Sequence, residues 1–115
     1  MPTRRSKAQI VRSYLNQLPD IKIAIVYGSF ANNTQSPQSD FDIAVAGDKV
    51  LTIDKKVTMI TALSSLIGRE VDLIDMHAAT GTIKQEALSR GKILLNKDPP
   101  LLAKILSNAC RKQAW

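Results

Sequence analysis

Two aspartates, Asp40 and Asp42, are separated by a single residue at the start of the segment DFDIAVA. Large apolar residues alternate with other residues through this segment, which is the period of a β-strand, so both carboxylates lie on one face, about 7 Å apart. Two carboxylates at this distance repel each other unless cations lie between them. Because Mg²⁺ prefers oxygen ligands, the pair predicts a site for two divalent cations.

A third carboxylate, Asp72, is expected to complete this site. Two metal ions stabilise the attacking and the leaving oxygen of an in-line phosphoryl displacement, and a third acid is needed to hold them. Asp72 lies near the start of the next strand-like segment, EVDLIDM, on the opposite face from Val71 and Leu73. It can also take the proton of an attacking hydroxyl. Asp75 lies on the other face, and we interpret it as a solvent-facing or helix-capping acid.

Gly28 and Ser29 follow the apolar segment IKIAIVY, where a strand is expected to end. Glycine lets the backbone approach a phosphate closely, and serine offers a hydroxyl and an N–H to phosphate oxygens. These two residues therefore predict a phosphate-binding turn. Arg69 and Lys22 are further candidates for neutralising phosphates, whereas His77, the only histidine, is interpreted as structural.

Eight secondary-structure elements are expected to position these residues, in the order helix, strand, strand, helix, strand, helix, strand, helix. The predicted strands cover residues 21–27, 40–46, 70–76 and 92–96, and the predicted helices cover residues 6–18, 53–67 and 80–90 and a last segment that Asp98 caps. Without a linker or an internal repeat, residues 1–115 are predicted to form one domain of the α/β or α+β class.

Apolar residues recur at helical spacing in the first, second and last helices, which predicts the faces that pack on the core. Gly68 is predicted to cap the second helix at its C-terminus. The predicted stripes are Ile10, Val11, Tyr14, Leu15 and Leu18 in the first helix, Val57, Ile60, Ser64 and Ile67 in the second, and Leu101, Leu102, Ile105, Leu106 and Ala109 in the last.

Composition and charge restrict the function classes. Hydrophobic residues make up 44% and charged residues 23% of the chain, as is typical of a soluble globular protein. No apolar segment approaches the ~20 residues that span a bilayer, and a single cysteine cannot form an internal disulfide, so we expect a cytoplasmic protein without a membrane partner. The net charge of +6 favours polyanionic partners, namely nucleotide phosphates, RNA or an acidic protein surface.

The spacing of the acids resembles the signature of the nucleotidyltransferase superfamily that shares the palm of DNA polymerase beta. The resemblance depends on Gly28-Ser29, on Asp40-Phe41-Asp42 ten residues later, and on the EVDLID segment with Asp72, and it includes Ala31 and Ser39. It implies a polymerase-beta-like nucleotidyltransferase fold, in which a small mixed sheet is flanked by helices. Where relatives often have a second glycine, this chain has Asn33, which adopts left-handed backbone conformations more readily than most residues.

Short chains of this pattern look like the minimal nucleotidyltransferase antitoxins, which are encoded beside a helical HEPN ribonuclease toxin. The resemblance implies an enzyme that uses ATP and Mg²⁺ to transfer AMP to a tyrosine of the toxin, which silences the toxin. It also implies that Gly28 and Ser29 hold the triphosphate, and that Asp40, Asp42 and Asp72 are the metal-binding and catalytic acids.

Two other functions are compatible with the same residues. The fold also serves the transfer of a nucleotide to a small molecule or to RNA, although we expect no acceptor domain in a chain of this length. The other alternative is a non-catalytic antitoxin that binds and occludes its partner. Substitution of one acid, with binding retained, distinguishes a catalytic antitoxin from an occluding one.

Overall fold

The computed structural model describes residues 7–27, 40–78 and 91–113, including the side chains of all of these except 107–113. Three helices and four strands lie in these ranges: α1 (Lys7–Asn16), β1 (Ile23–Tyr27), β2 (Phe41–Ala46), α2 (Ile53–Ile67), β3 (Val71–Asp75), β4 (Lys92–Asn96) and α3 (Pro99–Gln113). Each agrees with a predicted element to within about two residues at its N-terminus. The predicted helix over 80–90 lies outside the described residues, as does Ser6, where the first helix was predicted to begin.

The four strands form one mixed sheet in the order β3-β2-β1-β4. β1 pairs antiparallel with both β2 and β4, whereas β2 pairs parallel with β3. All five residues of β1 are buried, as expected for a central strand that is covered on both faces. The small mixed sheet flanked by helices that the sequence implied is therefore confirmed.

One face of the sheet packs against α1 and α2. Phe41, Ile43 and Val45 of β2 lie on this face and are fully buried, which confirms the predicted alternation. The helices contribute Val11 and Leu15 from α1, and Met59, Leu63 and Ile67 from α2. In the described part of the chain, no helix is both long enough and apolar enough to cross a membrane.

The predicted stripe of α2 was wrong at Val57 and correct at Ile60 and Ile67, which pack in or against the core. Val57 is 55% exposed, and the buried residues are Met59, Leu63 and Ile67, which recur every four residues. Both stripes fit a helical period and share Ile67, so the spacing alone did not distinguish them. The stripe with the larger side chains faces α1 and β3, because those side chains bury more apolar area.

The other face of the sheet packs against α3. Ala44 and Ala46 of β2 lie on this face, where their small side chains leave room for Leu102 and Ile105 of the helix. The carboxylate of Asp98 accepts a hydrogen bond from the backbone N–H of Leu101 at 3.1 Å, which confirms the predicted cap.

Both ends of α2 are capped, which determines where β3 begins. At the N-terminus the Thr52 hydroxyl accepts a hydrogen bond from the Lys55 backbone N–H at 3.1 Å. At the C-terminus Gly68 has a φ of 66° and donates its N–H to the Ser64 carbonyl at 2.9 Å, as predicted. The chain therefore turns sharply and enters β3 only three residues later.

Asp75, at the end of β3, is 3% exposed, so its interpretation as a solvent-facing or capping acid was wrong. One carboxylate oxygen accepts a hydrogen bond from the Leu51 backbone N–H at 2.7 Å, and the other accepts one from the His77 backbone N–H at 2.9 Å. The side chain thus ties the loop before α2 to the turn after β3. A buried carboxylate is tolerated here because both of its oxygens are hydrogen-bonded.

Substitution of Asp75 by alanine should destabilise the fold by about 1–3 kcal/mol, because it leaves two part-buried N–H donors without their acceptor. Urea unfolding of the variant measures this loss. Asp48→Ala removes an equal charge from an exposed position and should change stability by less than about 0.5 kcal/mol. Equal stability of the two variants would show that the Asp75 hydrogen bonds do not contribute.

Candidate active site

Asp42 and Asp72 are direct neighbours in the sheet. The parallel pairing of β2 with β3 matches Phe41 with Val71 and Asp42 with Asp72. Adjacent strands lie about 4.8 Å apart, so the two side chains stand side by side. Both point away from the face that Phe41 and Val71 bury against α1 and α2.

Asp40 lies at the entrance to β2, two residues before Asp42 and on the same face. The ladder with β3 begins here, because the Phe41 backbone N–H donates to the Glu70 carbonyl at 2.8 Å. Asp40 and Asp72 are exposed, whereas Asp42 is half-buried. The structure thus brings all three predicted acids to one end and one face of the sheet, open to solvent.

The donor set suits Mg²⁺, because it consists of carboxylate oxygens on neighbouring strand positions and leaves space for water and phosphate ligands. Within residues 7–27, 40–78 and 91–106, however, no three His, Cys, Asp or Glu side chains lie close enough together to form a metal site. The two-ion site therefore remains a prediction.

The end of β1 lies beside the acids. Tyr27, the last residue of β1, pairs with Asp42 across the antiparallel ladder. Gly28 and Ser29 follow directly in the sequence, but they lie outside the described residues, as do Ala31, Asn33 and Ser39. Their predicted contacts with a triphosphate remain predictions.

Of the two basic residues proposed to neutralise phosphates, only Arg69 lies near the acids. It precedes Glu70, whose carbonyl pairs with Phe41. Lys22 donates its backbone N–H to the Ala46 carbonyl at 2.9 Å, which places it at the opposite end of β2 from Asp42.

His77 also lies at the opposite end of the sheet from the acids. Its Nε2 donates to the Gly47 carbonyl at 2.6 Å, so the ring joins two turns. This agrees with the prediction that His77 has a structural role. A cavity of about 290 Å³ lies at this end and is lined by Asp20, Asp48, Lys49, Val50, Leu51, Thr52 and Lys55. Asp40, Asp42 and Asp72 do not line this cavity.

Tyr27 is the residue near the acids that sequence reasoning missed. It is 6% exposed and belongs to the buried cluster on the face that α3 covers, together with Ile25 and Ala44. The face of β1 that carries Tyr27 could have been predicted, because Tyr27 and Ile25 are two positions apart in one strand and so share a face. The pairing with Asp42 required knowledge of the register.

The family model described as "Polymerase beta, Nucleotidyltransferase" matches residues 9–100. A curated relative, the protein adenylyltransferase MntA of Shewanella oneidensis, is 28% identical over 86 residues, which are 75% of this chain and 62% of the relative. The chain therefore spans less than two thirds of the length of that relative.

Two solved structures are similar over almost the whole chain. A toxin–antitoxin crystal structure with AMP-PNP has a TM-score of 0.76 at 26% identity and covers 96% of this chain and 91% of its own. A structure of a tri-AMPylated Shewanella oneidensis HEPN toxin in complex with an MNT antitoxin has a TM-score of 0.67 at 23% identity, and the match covers 93% of this chain and 90% of the matched chain. At 23% identity, this second similarity shows a shared fold and nothing about function.

Proposed function

Because the chain belongs to the polymerase beta nucleotidyltransferase family, we propose that it is an antitoxin that transfers AMP from ATP to a tyrosine hydroxyl of a HEPN ribonuclease toxin and thereby neutralises it. The observation that carries the proposal is the pairing of Asp42 with Asp72 at a solvent-exposed end of the sheet, with Asp40 two residues away. The similarity to a protein adenylyltransferase and to a toxin–antitoxin complex with an ATP analogue supports this choice of reaction and partner.

The proposed roles follow the positions of the residues. Asp40, Asp42 and Asp72 would hold two Mg²⁺ ions, and Gly28 and Ser29 would hold the triphosphate. When bound, Mg²⁺ supplies positive charge that stabilises the phosphate oxygens in the transition state. Asp40 and Asp72 are exposed at this end of the sheet, which would give a large acceptor access to the nucleotide.

Asp72 is proposed to act on the acceptor as well. The tyrosine oxygen attacks the α-phosphorus, the bond from that phosphorus to the β-phosphate oxygen breaks, and pyrophosphate leaves. Asp72 would accept the tyrosine proton, because its carboxylate is exposed and so accessible to an acceptor. Positioning of the acceptor would come from docking of the toxin. A cytoplasmic location is part of the proposal, because a supply of ATP is needed for the proposed reaction.

We further propose that residues 1–115 form a single minimal nucleotidyltransferase domain. The net charge of +6 favours a polyanionic acceptor too, so transfer of the nucleotide to RNA is the second candidate function. The two candidate functions differ in the molecule that accepts the nucleotide, and both would use the same three acids, Asp40, Asp42 and Asp72. Both candidates can therefore be tested in one reaction.

Incubation with Mg²⁺, each of the four nucleoside triphosphates labelled at the α-phosphate, and the product of the neighbouring reading frame tests the proposal. We expect label from ATP on the partner protein, at a tyrosine identified by peptide mass spectrometry. Addition of total RNA to a parallel reaction tests the second candidate. Label on RNA with an unlabelled partner would replace the first function by the second.

A further inference from the structure

Tyr27 is buried directly beside Asp42. Their Cα atoms are register partners in the antiparallel pair of β1 and β2, and both side chains lie on the face of the sheet that carries Ala44. Cross-strand partners on one face have Cβ atoms about 4.5–5.5 Å apart, so the two side chains start as neighbours on this face. Asp72 occupies the equivalent position on the other side, in β3.

The Tyr27 side chain is also part of the apolar core. It belongs to a buried cluster with Ile25 of the same strand and with Leu102 and Ile105 of α3. The neighbouring position on β2 along this face is Ala44, whose side chain is a single methyl group. Tyr27 is therefore the large side chain at the border between the apolar cluster and the acids.

We propose that Tyr27 is a positioning residue that holds the Asp42 carboxylate toward Asp72. Asp42 is half-buried and has Tyr27 and Asp72 as its two cross-strand partners, so a large side chain at position 27 restricts the rotamers that would turn the carboxylate toward β1. A ligand side chain with fewer accessible rotamers is better organised for metal binding. This inference rests on the proposed function, because that function assigns Asp42 to the metal.

The test uses three variants of the full chain. Tyr27→Leu removes the planar ring but keeps an apolar side chain, and Tyr27→Phe keeps the ring. Ile25→Ala is the matched control, because Ile25 is 3% exposed on the same strand, face and cluster, one step farther from the acids. Mn²⁺ affinity is measured by electron paramagnetic resonance without nucleotide or partner, well below the melting temperature of each variant, with Asp42→Asn as the reference for a lost ligand.

We expect Tyr27→Leu to weaken Mn²⁺ binding about tenfold, which is the effect typical of a lost supporting contact at a metal ligand. Tyr27→Phe and Ile25→Ala should bind Mn²⁺ within about twofold of the wild type, although Ile25→Ala lowers the melting temperature. In transfer reactions Tyr27→Leu should lower kcat about tenfold and leave the KM for the partner protein unchanged.

Three outcomes would overturn the inference. Unchanged Mn²⁺ affinity in Tyr27→Leu, with affinity lost in Asp42→Asn, would reject the role of Tyr27 and leave the proposed function intact. A loss in Tyr27→Phe equal to that in Tyr27→Leu would show that the hydroxyl acts and not the ring. Unchanged affinity in Asp42→Asn would reject the metal assignment itself, and the role of Tyr27 with it.

Discussion

Asp42→Asn is expected to lower the rate of AMP transfer by about 10³-fold or more, because loss of a metal-binding carboxylate removes several kcal/mol of transition-state stabilisation. Asp42 should show the larger effect of the two acids of β2, since it is half-buried and paired with Asp72. The rate is measured as label transferred from ATP to the partner protein at saturating Mg²⁺.

The same substitution should leave the fold intact. Asparagine has nearly the same size, and removal of one charge from neighbouring carboxylates relieves their repulsion, so the melting temperature without metal should equal or exceed that of the wild type. Asp48→Asn is the control, because it makes the same charge change at an exposed position at the far end of β2. Retained transfer by Asp42→Asn, or an equal loss in Asp48→Asn, would contradict the assignment.

Phe41→Ala is expected to cost about 3–5 kcal/mol of stability, which is the typical loss for truncation of a buried aromatic side chain. Phe41 is 0% exposed and lies among the residues that α1 and α2 cover, although its two neighbours in sequence are the acids. A domain of this size has about 5–15 kcal/mol in total, so the variant should unfold at a much lower urea concentration.

The contrast between Phe41 and Asp42 tests the two faces of β2 separately. Phe41→Leu keeps most of the buried area and should lose less stability than Phe41→Ala. Both variants, while folded, should keep the metal affinity of the wild type. A stability loss below about 1 kcal/mol in Phe41→Ala would show that the core does not depend on this position as the structure indicates.

Much of the fold could be predicted because local signals agreed with the final structure. The alternation in DFDIAVA gave the correct face for Phe41, and the Gly68 signal gave the correct end of α2. These features depend on neighbouring residues alone, through strand pleat and helix capping. The phase of the α2 stripe was not determined in this way, because it depends on which residues of α1 and β3 the helix meets.

The residues of the candidate site were proposed from the sequence, and their roles remain predictions, whereas their arrangement could not be predicted. The adjacency of Asp42 and Asp72 depends on the parallel pairing of β2 with β3, and that of Tyr27 and Asp42 depends on the register of β1. Neither is encoded in spacing along the chain. The burial of Asp75 could not be predicted from spacing either. It depends on hydrogen bonds to Leu51 and His77 that form only when the sheet is assembled.

The most direct test of the proposed function measures whether neutralisation is catalytic. The protein is mixed with a tenfold excess of the partner toxin, ATP and Mg²⁺, the partner is then separated, and its intact mass and ribonuclease activity are measured. We expect every partner molecule to become inactive, to remain inactive after separation, and to gain the mass of one or more AMP units, whereas Asp42→Asn leaves the mass unchanged. An unmodified partner that regains activity on separation, with wild type and Asp42→Asn inhibiting equally and only in stoichiometric amounts, would contradict the enzymatic account and identify an occluding antitoxin.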